Sequence, residues 1–107
     1  MSTTARIEAI AQDPVKVDPE HYRVELENEK VRVLRVKYGP HEKSVVHKHP
    51  FLVEINLTVA HLAITYPDGR TEKIQAKAGQ VLTFPTSERI PENLSDFPYE
   101  AIAIELK

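Results

Sequence analysis

Apolar residues recur mainly at every second position from His21 to the C-terminus, in short runs broken by polar or proline-containing segments. A period of two marks strands, because successive side chains leave opposite faces of a sheet. The runs predict strands over 21–26, 30–38, 44–48, 53–59, 61–66, 70–76, 81–84 and 100–106. In 30–38, Val31 and Val33 stand opposite Lys30 and Arg32, while Leu34 joins the charged side. That is the pattern of a strand partly covered on both faces. Glu27-Asn28-Glu29 reads as a turn, and Tyr66-Pro67-Asp68-Gly69-Arg70 as a hairpin connection, since Asp-Gly suits positions that need positive φ. A single helix is predicted over 5–11, capped by Thr3 or Thr4, with Ile7 and Ile10 on one face. Asp13-Pro14 ends it. The expected organisation is therefore an N-terminal helix and connector over 1–20 and one all-β domain over 21–107, an antiparallel barrel or sandwich.

Composition narrows the function classes. A chain of 107 residues has room for one domain. It has no cysteine, which removes disulfides, thiolate zinc sites and a cysteine nucleophile. A formal net charge of −2, with no basic cluster among aromatics, argues against a nucleic-acid surface. No apolar run approaches the roughly 20 residues of a membrane span. The first residues lack a basic start and a long apolar stretch, so a cytoplasmic location is the default expectation. Ser44, Ser87 and Ser95 have no Gly-x-Ser-x-Gly setting, leaving serine hydrolase chemistry unsupported.

The chemistry centres on His47 and His49. Two apart on a strand, they share one face, so two imidazoles can converge on one metal ion or one ligand. Pro50 ends that strand and places the pair near its end. Taken alone, such a pair is more often two surface histidines. The segment Pro40-His41-Glu42-Lys43-Ser44-Val45-Val46-His47-Lys48-His49-Pro50, however, resembles the first motif of the cupin superfamily, a Gly, five residues, His-x-His, and a Glu a few residues on. Gly79-Gln80-Val81-Leu82-Thr83-Phe84-Pro85 followed by Arg89-Ile90-Pro91-Glu92-Asn93 is similar to the second motif, and 98–107 to the last strand of small bacterial cupins. The resemblance implies a double-stranded β-helix jelly roll and, in its usual form, a metal held by three His and one Glu. Here His41 stands where the first motif has Gly, and Arg89 where the second has His.

Glu54 fits a loose form of the first motif; an ungapped match anchored on Pro67-Asp68-Gly69 puts Leu52 there instead. Either way Glu54, Asn56 and Thr58 make a polar face, against the apolar Val53, Ile55, Leu57 and Val59. Alternation alone would turn the apolar face to the core. The resemblance turns the polar face inward and leaves the apolar one to a second copy or sheet. Arg89 cannot ligate a metal and, inside a cavity, needs an anion. That anion is either Glu54 or a small carboxylate or phosphate. The leading expectation is thus a small cupin binding an anionic metabolite in the cavity, with or without a metal. Arg89 is expected on the anion, with His47 and His49 as hydrogen-bond partners and Asn56 and His61 as further ligand-binding residues, His61 at the cavity mouth. One alternative is a metal-dependent dioxygenase or isomerase holding Fe, Mn, Ni or Zn on His47, His49 and Glu54. A second is a degenerate cupin serving as a dimeric interaction module. A homodimer, without nucleic acid or membrane partners, is expected throughout.

Overall fold

Two antiparallel sheets face each other across one core in the computed structural model, which describes residues 12–107. The helix expected over 5–11 lies outside those residues. The described elements are α1 (Pro14–Val17), β1 (Tyr22–Glu27), β2 (Val31–Tyr38), β3 (His47–His49), β4 (Leu52–Asn56), β5 (Ala60–Thr65), β6 (Thr71–Ala76), β7 (Val81–Phe84), β8 (Ser87–Asn93) and β9 (Tyr99–Leu106). The larger sheet runs β1-β2-β9-β4-β7 and the smaller β3-β8-β5-β6. The all-β antiparallel expectation holds. Among the described residues no helix is long and apolar enough to cross a membrane.

Local chemistry explains most of the boundaries. Pro14 starts the single turn α1, where its missing N–H costs nothing. The Asp13 carboxylate caps that turn by accepting from Val15 N at 3.0 Å. Asn28 Oδ1 accepts from the N–H groups of Lys30 and Val31 and closes the β1–β2 turn. Gly69, at φ 89°, closes the β5–β6 hairpin, with Tyr66 N bonded to Arg70 O. One strand was not anticipated. Pro91 lies within β8, where its carbonyl still accepts from Ser44 N at 2.9 Å.

The faces of the strands decide where the chemistry goes. On β2 the inward set is Leu34, Val36 and Tyr38, while Val31 and Val33 face outward. On β9 small residues, Ala101 and Ala103, point inward beside Tyr99, and Ile102 and Ile104 point out. On β4 the polar residues turn inward: Glu54 and Asn56 are buried with Leu52, while Val53 and Ile55 are half-buried and, beyond the strand, Leu57 and Val59 are exposed. The small Ala101 and Ala103 on the central strand β9 leave room for Tyr22 and Tyr38 beside Tyr99 in the core.

Candidate functional site

The β3–β8 ladder sets His47 opposite Arg89 and His49 opposite Ser87. Both imidazoles are buried, with ring centroids 4.7 Å apart and planes nearly perpendicular. The Tyr22 ring packs edge-on against both. Each histidine is oriented through Nδ1. For His47 the partners are Ser44 Oγ at 2.9 Å and Val45 O at 3.0 Å. For His49 the partner is Glu105 Oε2 at 2.9 Å. Arg32 donates from Nε to the other Glu105 oxygen and grips Asp13 with both terminal nitrogens, all at 2.8 Å. The two N–H partners outweigh burial and hold the Glu105 carboxyl below its usual range. Burial, and then the charge each ring would present to the other, lowers the His47 pKa to about 3. Burial likewise lowers that of His49. Both rings are therefore neutral, with the orienting bond on Nδ1 leaving Nε2 as the acceptor.

Arg89 reaches the core from β8 and is 3% exposed. Its guanidinium carbon lies 4.4 Å from the centroid of the Phe84 ring, and its Nε and Nη1 have no hydrogen-bond partner. Beside it is a cavity of about 20 Å³, lined among others by Tyr22, Tyr38, Glu54, Phe84 and Tyr99. That is space on the order of one or two water molecules.

Glu54 does not form an ion pair with Arg89 within 4.0 Å among the described contacts. Its Oε2 lies 2.5 Å from Tyr99 Oη, which is also 2.7 Å from Asn56 Oδ1. The Asn56 amide is fixed the other way round by its Nδ2 donating to Gln80 O at 3.1 Å. Tyr99 has one proton for two acceptors. The arrangement is satisfied when Tyr99 donates to Asn56 and a protonated Glu54 donates to Tyr99. Burial raises the Glu54 pKa in the same sense, with Tyr99 and the Arg89 charge opposing it. Arg89 is thus a buried guanidinium whose neighbouring carboxyl, Glu54, is bonded to Tyr99 and raised above the usual carboxylate range by burial.

A search of solved structures gives the architecture its relatives. A cupin domain from Bordetella pertussis shares 27% identity over 80% of this chain and 91% of its own, with a TM-score of 0.74. This chain has the cupin fold. A double-stranded β-helix domain protein from Klebsiella pneumoniae (14% identity, 94% of this chain and 85% of its own, TM-score 0.63) shares the fold. So does an RmlC-like cupin from Methanocaldococcus jannaschii (17%, 83% of each chain, TM-score 0.61). No sequence-family profile and no curated protein matches the chain.

The residues present do not fit the metal set usual in cupins. Among the described residues no three His, Cys, Asp or Glu side chains converge to hold an ion. His47 and His49 sit together, but Glu54 is bound to Tyr99, and the position of the third histidine carries the Arg89 cation. The other predicted residues divide. Asn56 is inside, yet its amide is committed to Gln80 and Tyr99. His61, expected at the cavity mouth, instead faces outward, lining a surface groove with Thr58, Lys77 and Phe97. Its neighbours Ala60 and Leu62 take the inward positions of β5. Sequence reasoning passed over Ser44, Glu105, Arg32 and Tyr99. Glu105 carried a legible signal, since it shares a strand face with Ala101 and Ala103.

Proposed function

We propose that this cupin binds a small organic anion in the barrel interior, with Arg89 as its charge partner and no resident metal. The Arg89 guanidinium carries the reading: it is buried, has two donors without acceptors, and the buried Glu54 beside it bonds to Tyr99 instead. An unpaired buried charge costs several kcal/mol, which an entering anion would offset. The cavity of about 20 Å³ favours the smallest carboxylates. The metal-dependent alternative loses support because Glu54 is engaged elsewhere and a cation faces the histidines. The outer face of the larger sheet supports self-association, since Val33, Val53, Ile55, Ile102 and Ile104 form adjoining rows across β2, β9 and β4. Sedimentation should then report a mass of two chains; a persistent monomer would remove that part.

Thermal unfolding with formate or acetate, against formamide or acetamide at equal ionic strength, tests the anion site. At a hundredfold excess over Kd the acids should add about 2.7 kcal/mol, roughly 10 °C or more for a domain of this size. The amides should add nothing, and Arg89→Met should abolish the shift. Absence of a shift with every carboxylate tried would sink the reading. So would stoichiometric metal that is lost on joint replacement of His47 and His49.

A further inference from the structure

The groove that His61 lines has a volume of about 790 Å³ and lies where three connections meet, β4–β5, β6–β7 and β8–β9. Small-molecule sites span roughly 300–1,000 Å³. Its floor is Ala60 and Ala76, small buried residues paired across β5 and β6. Phe97 and Val59, 73% and 68% exposed, are its apolar walls. The connections are pinned by their own hydrogen bonds. Gln80 Oε1 accepts from Lys77 N at 2.9 Å, and Gln80 O accepts from Asn56 N at 3.0 Å. Thr58 Oγ1 accepts from Glu100 N at 3.1 Å, and Asn93 Nδ2 donates to Phe97 O at 2.7 Å. The groove is therefore formed before anything enters it.

The charge of the lining is one-sided. Of the chain's 16 Asp and Glu residues none lines the groove among the described residues, whereas Lys77 does. Asp96 falls between two lining residues, Ser95 and Phe97, but its carboxylate is held by His41 at 2.6 Å. Lys77 and His61 are bonded through their backbones, and among the described contacts neither side chain has a partner. The groove thus presents an ammonium and an imidazole N–H beside an exposed aromatic ring. A neutral apolar molecule would gain nothing from Lys77. A sugar would gain little from Phe97 and Val59. A carboxylate on an apolar body uses both halves.

We propose that this groove is a second binding site, on the outside of the barrel, for a monocarboxylate with an apolar ring. Its carboxylate accepts from Lys77 Nζ and a His61 ring N–H, and its ring lies against Phe97 and Val59 over the Ala60–Ala76 floor. The site is independent of the interior one, because no ring enters a cavity of about 20 Å³.

Titration calorimetry with 1-naphthaleneacetate and its amide measures the affinity, and amide NMR shifts locate the site. The acid should bind with a Kd below about 1 mM and the amide about tenfold more weakly. The acid should shift signals from 58–61, 75–80 and 95–98. Lys77→Met should weaken it about tenfold and Phe97→Ala about fivefold or more. Both positions are exposed, so the variants should fold. No binding up to about 10 mM overturns the site. Equal affinity for acid and amide, or an unchanged Kd in Lys77→Met, overturns the carboxylate assignment. Shifts confined to other residues overturn the location. A dimer in sedimentation that Phe97→Ala dissociates would assign the groove to a second copy of the chain and overturn the small-molecule reading.

Discussion

Methionine at position 89 would keep an unbranched side chain against the Phe84 ring while removing the charge. In the wild-type interior two Arg89 donors are buried without acceptors, at a cost of about 1–3 kcal/mol each. Against this stands the cation–π contact at 4.4 Å, worth about 2 kcal/mol when desolvated, part of which a thioether against the ring recovers. The balance predicts that Arg89→Met is more stable than wild type by roughly 1–4 kcal/mol in a buffer free of carboxylates and phosphate. Urea unfolding followed by circular dichroism would show a higher midpoint at unchanged m. Formate should then stabilise the wild type and not the variant, the usual opposition of binding function and stability. A loss of about 3–5 kcal/mol would refute the reasoning, because that is the penalty for removing one partner of a buried ion pair. It would mean that Glu54 is ionised and paired with Arg89.

Glu54→Gln tests the same chain from its other end. A glutamine N–H can donate to Tyr99 as the acid O–H does, so stability in urea at neutral pH should change by less than about 1 kcal/mol; a loss above about 3 would show a charged Glu54. His21 stacks on Tyr38 at 4.1 Å and is held by Asp18 at 2.7 Å and Glu42 at 2.9 Å, which outweigh burial and raise its pKa above 6.5. Its contribution is therefore full below the unfolded value of about 6.5 and lost as pH rises through the higher folded value. The stability gap between wild type and His21→Phe, which keeps the stack, should be widest in mild acid and shrink in alkali. A gap that stays constant from about pH 6 to 9 would contradict this.

Much of the fold was legible because strand formation is local. Period-two runs marked every strand but β8, which was hidden by Pro91, a residue that weakens a strand reading even where its carbonyl still bonds. The direction of each face was not local. Alternation would have buried Val53 and Ile55, but Glu54 and Asn56 are inside because Tyr99, more than 40 residues on, satisfies both. The same holds for Glu105, which orients His49 across 56 residues. No window of sequence contains those partners.

The two departures from the cupin motifs show why a family likeness carries the fold further than the function. His41 stands where the motif has Gly, yet its backbone keeps a left-handed φ of 61°, anchored by its N–H to Ser95 O and its Nε2 beside Asp96. That conformation costs an L-residue on the order of 1–2 kcal/mol, a penalty a barrel can absorb without changing shape. Arg89 also keeps its place in the ladder, opposite His47. There the exchange replaces a group that can offer a lone pair with one that stays positively charged and only donates. Such an exchange would disfavour a cation at that position and favour an anion. The backbone records none of this change, so on the proposed reading the ligand would be set by the sign of one buried side chain.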